Sequence, residues 1–132
     1  MAKIILRRQD LLYPELSYKI VGSAFDVFNE LGEGHSEKYY QKALAEAFSK
    51  NNIKFQEQVS FPMSYNNKII GRKFLDFLVE DKVVVEIKKG NGFSKSHIDQ
   101  VLEYLKINDF KLAILINFGN EGVIFKRIIN VS

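Results

Sequence analysis

The chain of 132 residues has no cysteine, no tryptophan, only two prolines, and no run approaching the roughly 20 apolar residues that a membrane-spanning helix needs. Without cysteine there are no disulfides and no thiolate ligands. Any metal must then be held by oxygen or imidazole, which points to Mg²⁺ or Mn²⁺ rather than structural zinc. No apolar stretch of signal-peptide type opens the chain, so a cytoplasmic protein with no membrane partner is expected. An excess of one charge is also missing: Lys and Arg number 19 against 16 Asp and Glu, a net +3 that suits a polyanion but is common without one. Apolar residues are plentiful, at 46% with 13% aromatic, enough for one core. One domain over residues 17–132 is expected, behind an N-terminal arm 1–16 that carries Arg7, Arg8 and Pro14.

Along the chain, Ser17 is placed to cap a first helix. Its apolar positions Ile20, Val21, Ala24, Phe25, Phe28 and Leu31 follow the 3.6-residue period, and Gly32 ends it. A second helix starts after Ser36, with Tyr40, Ala43, Leu44, Ala47 and Phe48 inward and Asn51-Asn52 as its stop. Phe55, Glu57, Val59 and Phe61 then alternate as in a half-buried strand, which Pro62 closes, and Tyr65-Asn66-Asn67-Lys68 reads as a turn. Two apolar segments, 73–79 and 83–87, flank the hairpin-length loop Glu80-Asp81-Lys82. A third helix over 96–107 and strands over 112–116 and 123–129 complete the order ααβββαββ. The expected class is α/β, a mixed sheet flanked by helices.

The chemistry sits in the two apolar segments. Strands this apolar are covered on both faces, where an ionised acid costs several kcal/mol unless compensated. Yet the first contains Asp76 and the second Glu86. With residues 80–82 as the loop, Val79 pairs with Val83, and counting back sets Asp76 opposite Glu86, with Cβ atoms ~4.5–5.5 Å apart. A shared divalent cation removes the repulsion, because Mg²⁺ takes one or two carboxylates and completes its shell with water and phosphate. Lys88 lies on the same side as Glu86, about 6.5–7 Å further on. Its ammonium can orient an attacking water and offset charge on a phosphate. The alternatives at this point are salt bridges of the acids with Arg72 or Lys88, or a one-residue slip that turns one acid outward.

Asp, nine residues, then Glu-Ile-Lys is similar to the signature of the PD-(D/E)XK nuclease superfamily, whose core order αβββαβ can be laid over the second helix onward. Gly34-His35-Ser36-Glu37-Lys38-Tyr39-Tyr40 has the spacing that names the GxxExxY family. The chain resembles that family also at 20–24, 30–34, 78–83 and Leu115-Ile116-Asn117-Phe118-Gly119, and departs from it at Phe28, where His is more usual. The resemblance implies a restriction-endonuclease-like sheet, with Asp76, Glu86, the carbonyl of Ile87 and Glu37 as metal ligands and Lys88 as the catalytic lysine.

His97, Gln100 and Tyr104 fall on one stripe of the third helix. Gln and Tyr at this spacing resemble recB-like members of the superfamily, which implies that Gln100 and Tyr104 act beside the metal; His97 is a separate candidate for phosphate contact. Each has a plainer role open to it, as a surface glutamine, a packed tyrosine or a helix-capping histidine. Arg72, Lys73, Lys89 and Lys95 flank the site in sequence and are candidates for contact with a nucleic-acid backbone, DNA being the expected partner. Two rival functions stay open: a non-catalytic module that binds nucleic acid or a partner protein, and a dimerisation domain, such as a homodimer, built on the Phe and Tyr content.

Overall fold

The computed structural model describes residues 12–90 and 92–131. The anticipated order ααβββαββ is present: α1 (Pro14–Leu31), α2 (Glu37–Lys50), β1 (Phe55–Tyr65), β2 (Lys68–Val79), β3 (Val83–Lys89), α3 (Lys95–Ile107), β4 (Leu112–Phe118) and β5 (Val123–Ile129). The strands form one mixed five-stranded sheet in chain order, antiparallel except for the β3/β4 pair, whose parallel crossover is made by α3. Helices α1 and α2 cover one face over Phe77, Val85, Ile114 and Ile116. Helix α3 covers the other over Val84, Ala113 and Leu115. That double cover explains why β3 and β4 read as unbroken apolar runs. No helix among the described residues is long and apolar enough to cross a membrane.

Several boundaries differ from expectation for physical reasons. Helix α1 begins at Pro14, not after Ser17, because proline's fixed φ suits the first helical position while Tyr13 ahead of it takes a left-handed φ of 49°. Ser17 is therefore inside the helix and buried, its hydroxyl without a partner. Of the anticipated arm, residues 1–11 lie outside the described residues. Leu12 and Tyr13 pack on the α1/α2 cluster, and Arg127 donates to the Leu12 carbonyl. Phe25 and Leu31 are exposed and Val27 is buried instead, so the inward stripe of α1 is rotated from the anticipated one.

Pro62 does not close β1. The strand runs on to Tyr65, since β1 is an edge strand paired only with β2 and loses no ladder bond to a missing N–H. Asn66 and Asn67, at φ 50° and 62°, make the two-residue loop between Tyr65 and Lys68, as type I′ hairpins require. Strand β2 accordingly starts at Lys68, five residues before the expected apolar segment.

The anticipated single face of β1 is split. Phe55 packs in the α1/α2 cluster, whereas Val59 and Phe61 pack in the α3 cluster. Between them Gln58 adopts φ 50°, a left-handed conformation unusual for a residue with a side chain, and this breaks the strict alternation.

The α1–α2 turn is tied down by Tyr40. Its hydroxyl donates to the Gly32 carbonyl at 2.6 Å, and its buried ring stacks on Phe118 with centroids 4.3 Å apart. Tyr40→Phe keeps the stacking and leaves the carbonyl without its donor, so it should lower unfolding stability by about 1–2 kcal/mol. Urea denaturation checks this as a shifted midpoint with an unchanged slope.

Candidate active site

Strands β2 and β3 pair only at Phe77↔Val85, Leu78↔Val84 and Val79↔Val83. Beyond that point β2 stays with β1, and β3 stays with β4 as far as Lys89↔Phe118, so the sheet forks. The next pair in register would be Asp76 with Glu86. Their side chains fill the fork: Ile87 N–H donates to Asp76 Oδ2 at 2.7 Å, and Asp76 N–H donates to Glu86 Oε2 at 3.1 Å. Each acid thus accepts a backbone N–H from the opposite strand at the fork. These two backbone donors hold both carboxyl groups in fixed positions. Among the described residues neither acid forms a salt bridge with Arg72 or Lys88. Arg72 is exposed and donates to Ser60 Oγ at 3.3 Å.

Asp76, Glu86, Ile87 and Lys88 line one cleft of ≈ 560 Å³ together with Glu37, which opens α2. Burial, then the Asp76 charge, pushes the Glu86 carboxyl up from its ordinary 4.5 to about 8. Lys38, Lys42 and Lys88 line the same cleft, but among the described residues none forms an ion pair with either acid. Two half-buried carboxylates and a peptide carbonyl are hard oxygen donors, and they fit a small divalent cation that keeps open positions better than a closed protein cage. Among the described residues no three His, Asp or Glu side chains converge on one point. Glu37 therefore lines the cleft without being gathered into a ligand group with the two acids.

Helix α3 brings a second set of residues alongside. Ser94 caps it by accepting from His97 N–H at 3.1 Å, so it starts at Lys95 rather than Ser96. His97 is half-buried. Burial first and the Lys88 charge next hold its pKa below the ordinary value, against the opposing pull of Asp76. Tyr104 is 5% exposed and packs against Phe61 with ring centroids 4.1 Å apart. Burial and then the Glu86 charge raise its pKa, so it stays a neutral donor. Both side chains thus feel the charges at the fork.

Gln100, Tyr104, Lys73 and Lys95, however, line a separate groove of ≈ 870 Å³ between α3 and the β1–β2 hairpin, not the acidic cleft. Lys89 is exposed at the end of β3, outside both. Residues missed from the sequence are Lys38, Gln41 and Lys42 of α2 and Gln58 of β1, which all line the acidic cleft. Of the α2 residues Gln41 carried a signal, because it lies four residues, about one helical turn, after Glu37. Gln58 carried none, since its place depends on a register that spans a bulge at Met63/Ser64.

A mixed sheet that forks at two acids and a lysine puts this chain in the class of nuclease-like α/β domains. The model of the PD-(D/E)XK nuclease superfamily matches residues 14–128, and the chain belongs to that superfamily. Among solved structures, SSO0001 is similar in fold, with a TM-score of 0.55 and 17% identity over 70% of this chain and 49% of that one. The chain thus spans about half the length of that protein. No curated protein matches.

Proposed function

We propose that this chain is a GxxExxY-type nuclease that hydrolyses phosphodiester bonds, in DNA first of all, with the help of Mg²⁺ or Mn²⁺. The observation that carries the proposal is the fork, where two carboxylates are locked face to face beside Lys88 with, among the described residues, no ion pair to either. Asp76, Glu86 and the Ile87 carbonyl are the donors for the cation. When bound, it supplies Lewis-acid polarisation of the phosphate and a lowered pKa for the attacking water. Lys88 orients that water and offsets charge developing on the phosphate oxygens.

The groove beside α3 takes the polynucleotide backbone. Lys73 and Lys95 neutralise phosphates there, while Gln100 and Tyr104 offer neutral donors. Arg72 and Lys89 are exposed and add to the positive field. His97, in the first turn of α3, is a candidate for phosphate contact, and Glu37 would be a further oxygen donor to the cation from the α2 side of the cleft.

The test is incubation of single- and double-stranded DNA and RNA with the protein in Mg²⁺, Mn²⁺ or EDTA. Cleavage that needs a divalent ion and is lost in Asp76→Ala supports the proposal. Equal cleavage by parent and variant identifies a contaminant. Binding without cleavage under either metal would turn the reading to a non-catalytic nucleic-acid module.

A further inference from the structure

Asn117 is fully buried near the end of β4, a position where an amide must be satisfied or used. Its Nδ2 donates to the carbonyl of Gly92 at 2.9 Å, which tethers the β3–α3 connection to the sheet. The same bond orients the amide, because a carbonyl accepts only from the nitrogen. The other atom, Oδ1, is buried with no partner among the described residues. In the parallel β3/β4 ladder the residue beside Asn117 is Lys88, and side by side in such a ladder the two side chains emerge from the same face. Lys88 has three ammonium donors and no hydrogen bond or ion pair to the protein among the described residues. An acceptor without a donor therefore lies next to a donor without an acceptor.

We infer that Asn117 is the positioning residue for Lys88: neither its Oδ1 nor the ammonium is bonded among the described residues, and the proposed contact, Lys88 Nζ donating to Oδ1, would fix where that charge stands over the cleft. A flexible four-carbon stem held at its root alone would spread the charge over many rotamers. One buried acceptor selects among them. Polar partners behind a reacting group commonly matter about 10–100-fold in activity. The inference rests on the proposed nuclease only for the task Lys88 performs; the contact itself does not depend on it.

Two measurements decide it. In a high-resolution crystal structure of the parent chain, Lys88 Nζ should stand within hydrogen-bond distance of Asn117 Oδ1, and an ammonium directed elsewhere overturns the proposal whether or not the protein cuts. In cleavage assays Asn117→Leu, which loses both atoms, should lower kcat about 10–100-fold with KM little changed. Asn117→Asp keeps an acceptor but gives up the tether to Gly92, and should recover kcat to within a few-fold while melting earlier. Equal loss of kcat in both variants would make Asn117 a loop tether only and sink the positioning role. A parent that cleaves nothing sinks the nuclease proposal instead, and the crystallographic contact still decides this one.

Discussion

Lys88→Met should lower the single-turnover rate of DNA cleavage at saturating substrate by on the order of 10²–10³-fold, the scale on which removing one preorganised charge-stabilising group acts. The melting temperature should stay within about 2 °C of the parent. The two expectations belong together. Lys88 is half-exposed and makes no contact through its ammonium that the fold depends on. Methionine retains most of the apolar stem that covers the sheet, so the folded state loses little. The transition state loses the only cation within the acidic cleft that β3 itself supplies. The deficit should fall on kcat, because one lysine among several near the grooves adds little to ground-state binding of a polyanion. Unimpaired cleavage, or a deficit confined to KM, would show that Lys88 is a solvated surface charge.

How much of this could be read before the fold was known depends on the range of the interactions involved. The pairing of Asp76 with Glu86 needed only a three-residue loop and a period of two. The structure agrees in register, with Val79 opposite Val83. What could not be read is that the ladder stops one pair earlier and that the acids themselves take over the N–H groups of Asp76 and Ile87. That depends on β1 and β4 pulling β2 and β3 apart, a competition between strands distant in sequence.

The same limit explains Gln58 and Asn117. The alternating pattern of β1 gave no hint that one residue would turn to φ 50° and send Phe55 and Val59 into different clusters. Asn117 stood in the sequence only as part of a family resemblance, and its meaning comes from Lys88 across a parallel ladder and Gly92 in a loop. At the start of α1, two local signals competed. The fixed φ of Pro14 prevailed over the capping preference of Ser17, which a hydroxyl three residues into the helix cannot exert. On helix α3 the period brings Gln100 and Tyr104 together, but they face a groove, which His97 does not line, formed with a hairpin whose length could not be seen past Pro62.

Glu86→Gln should make the protein more stable in EDTA above pH 8 and less able to bind a divalent cation. The sign follows from the proton. Glu86 holds its proton up to about pH 8 in the folded chain and to an ordinary 4.5 when unfolded. Its contribution is complete below the lower value and is lost as pH climbs toward the upper one, by at most about 1.4 kcal/mol per unit in between. Glutamine stays neutral, can still accept from Asp76 N–H through its amide oxygen, and removes that slope. With roughly 4 °C per kcal/mol for a chain of this size, melting curves of parent and variant should diverge by several degrees between acid and alkaline buffer. Adding Mg²⁺ or Mn²⁺ above pH 8 should raise the melting temperature of the parent, whose two carboxylates are then both charged, and leave Glu86→Gln nearly unmoved. Parallel pH profiles for the two proteins would mean that burial and the Asp76 charge do not hold a proton on Glu86. The fork would then be a salt-tolerant surface notch rather than a place where a cation is needed.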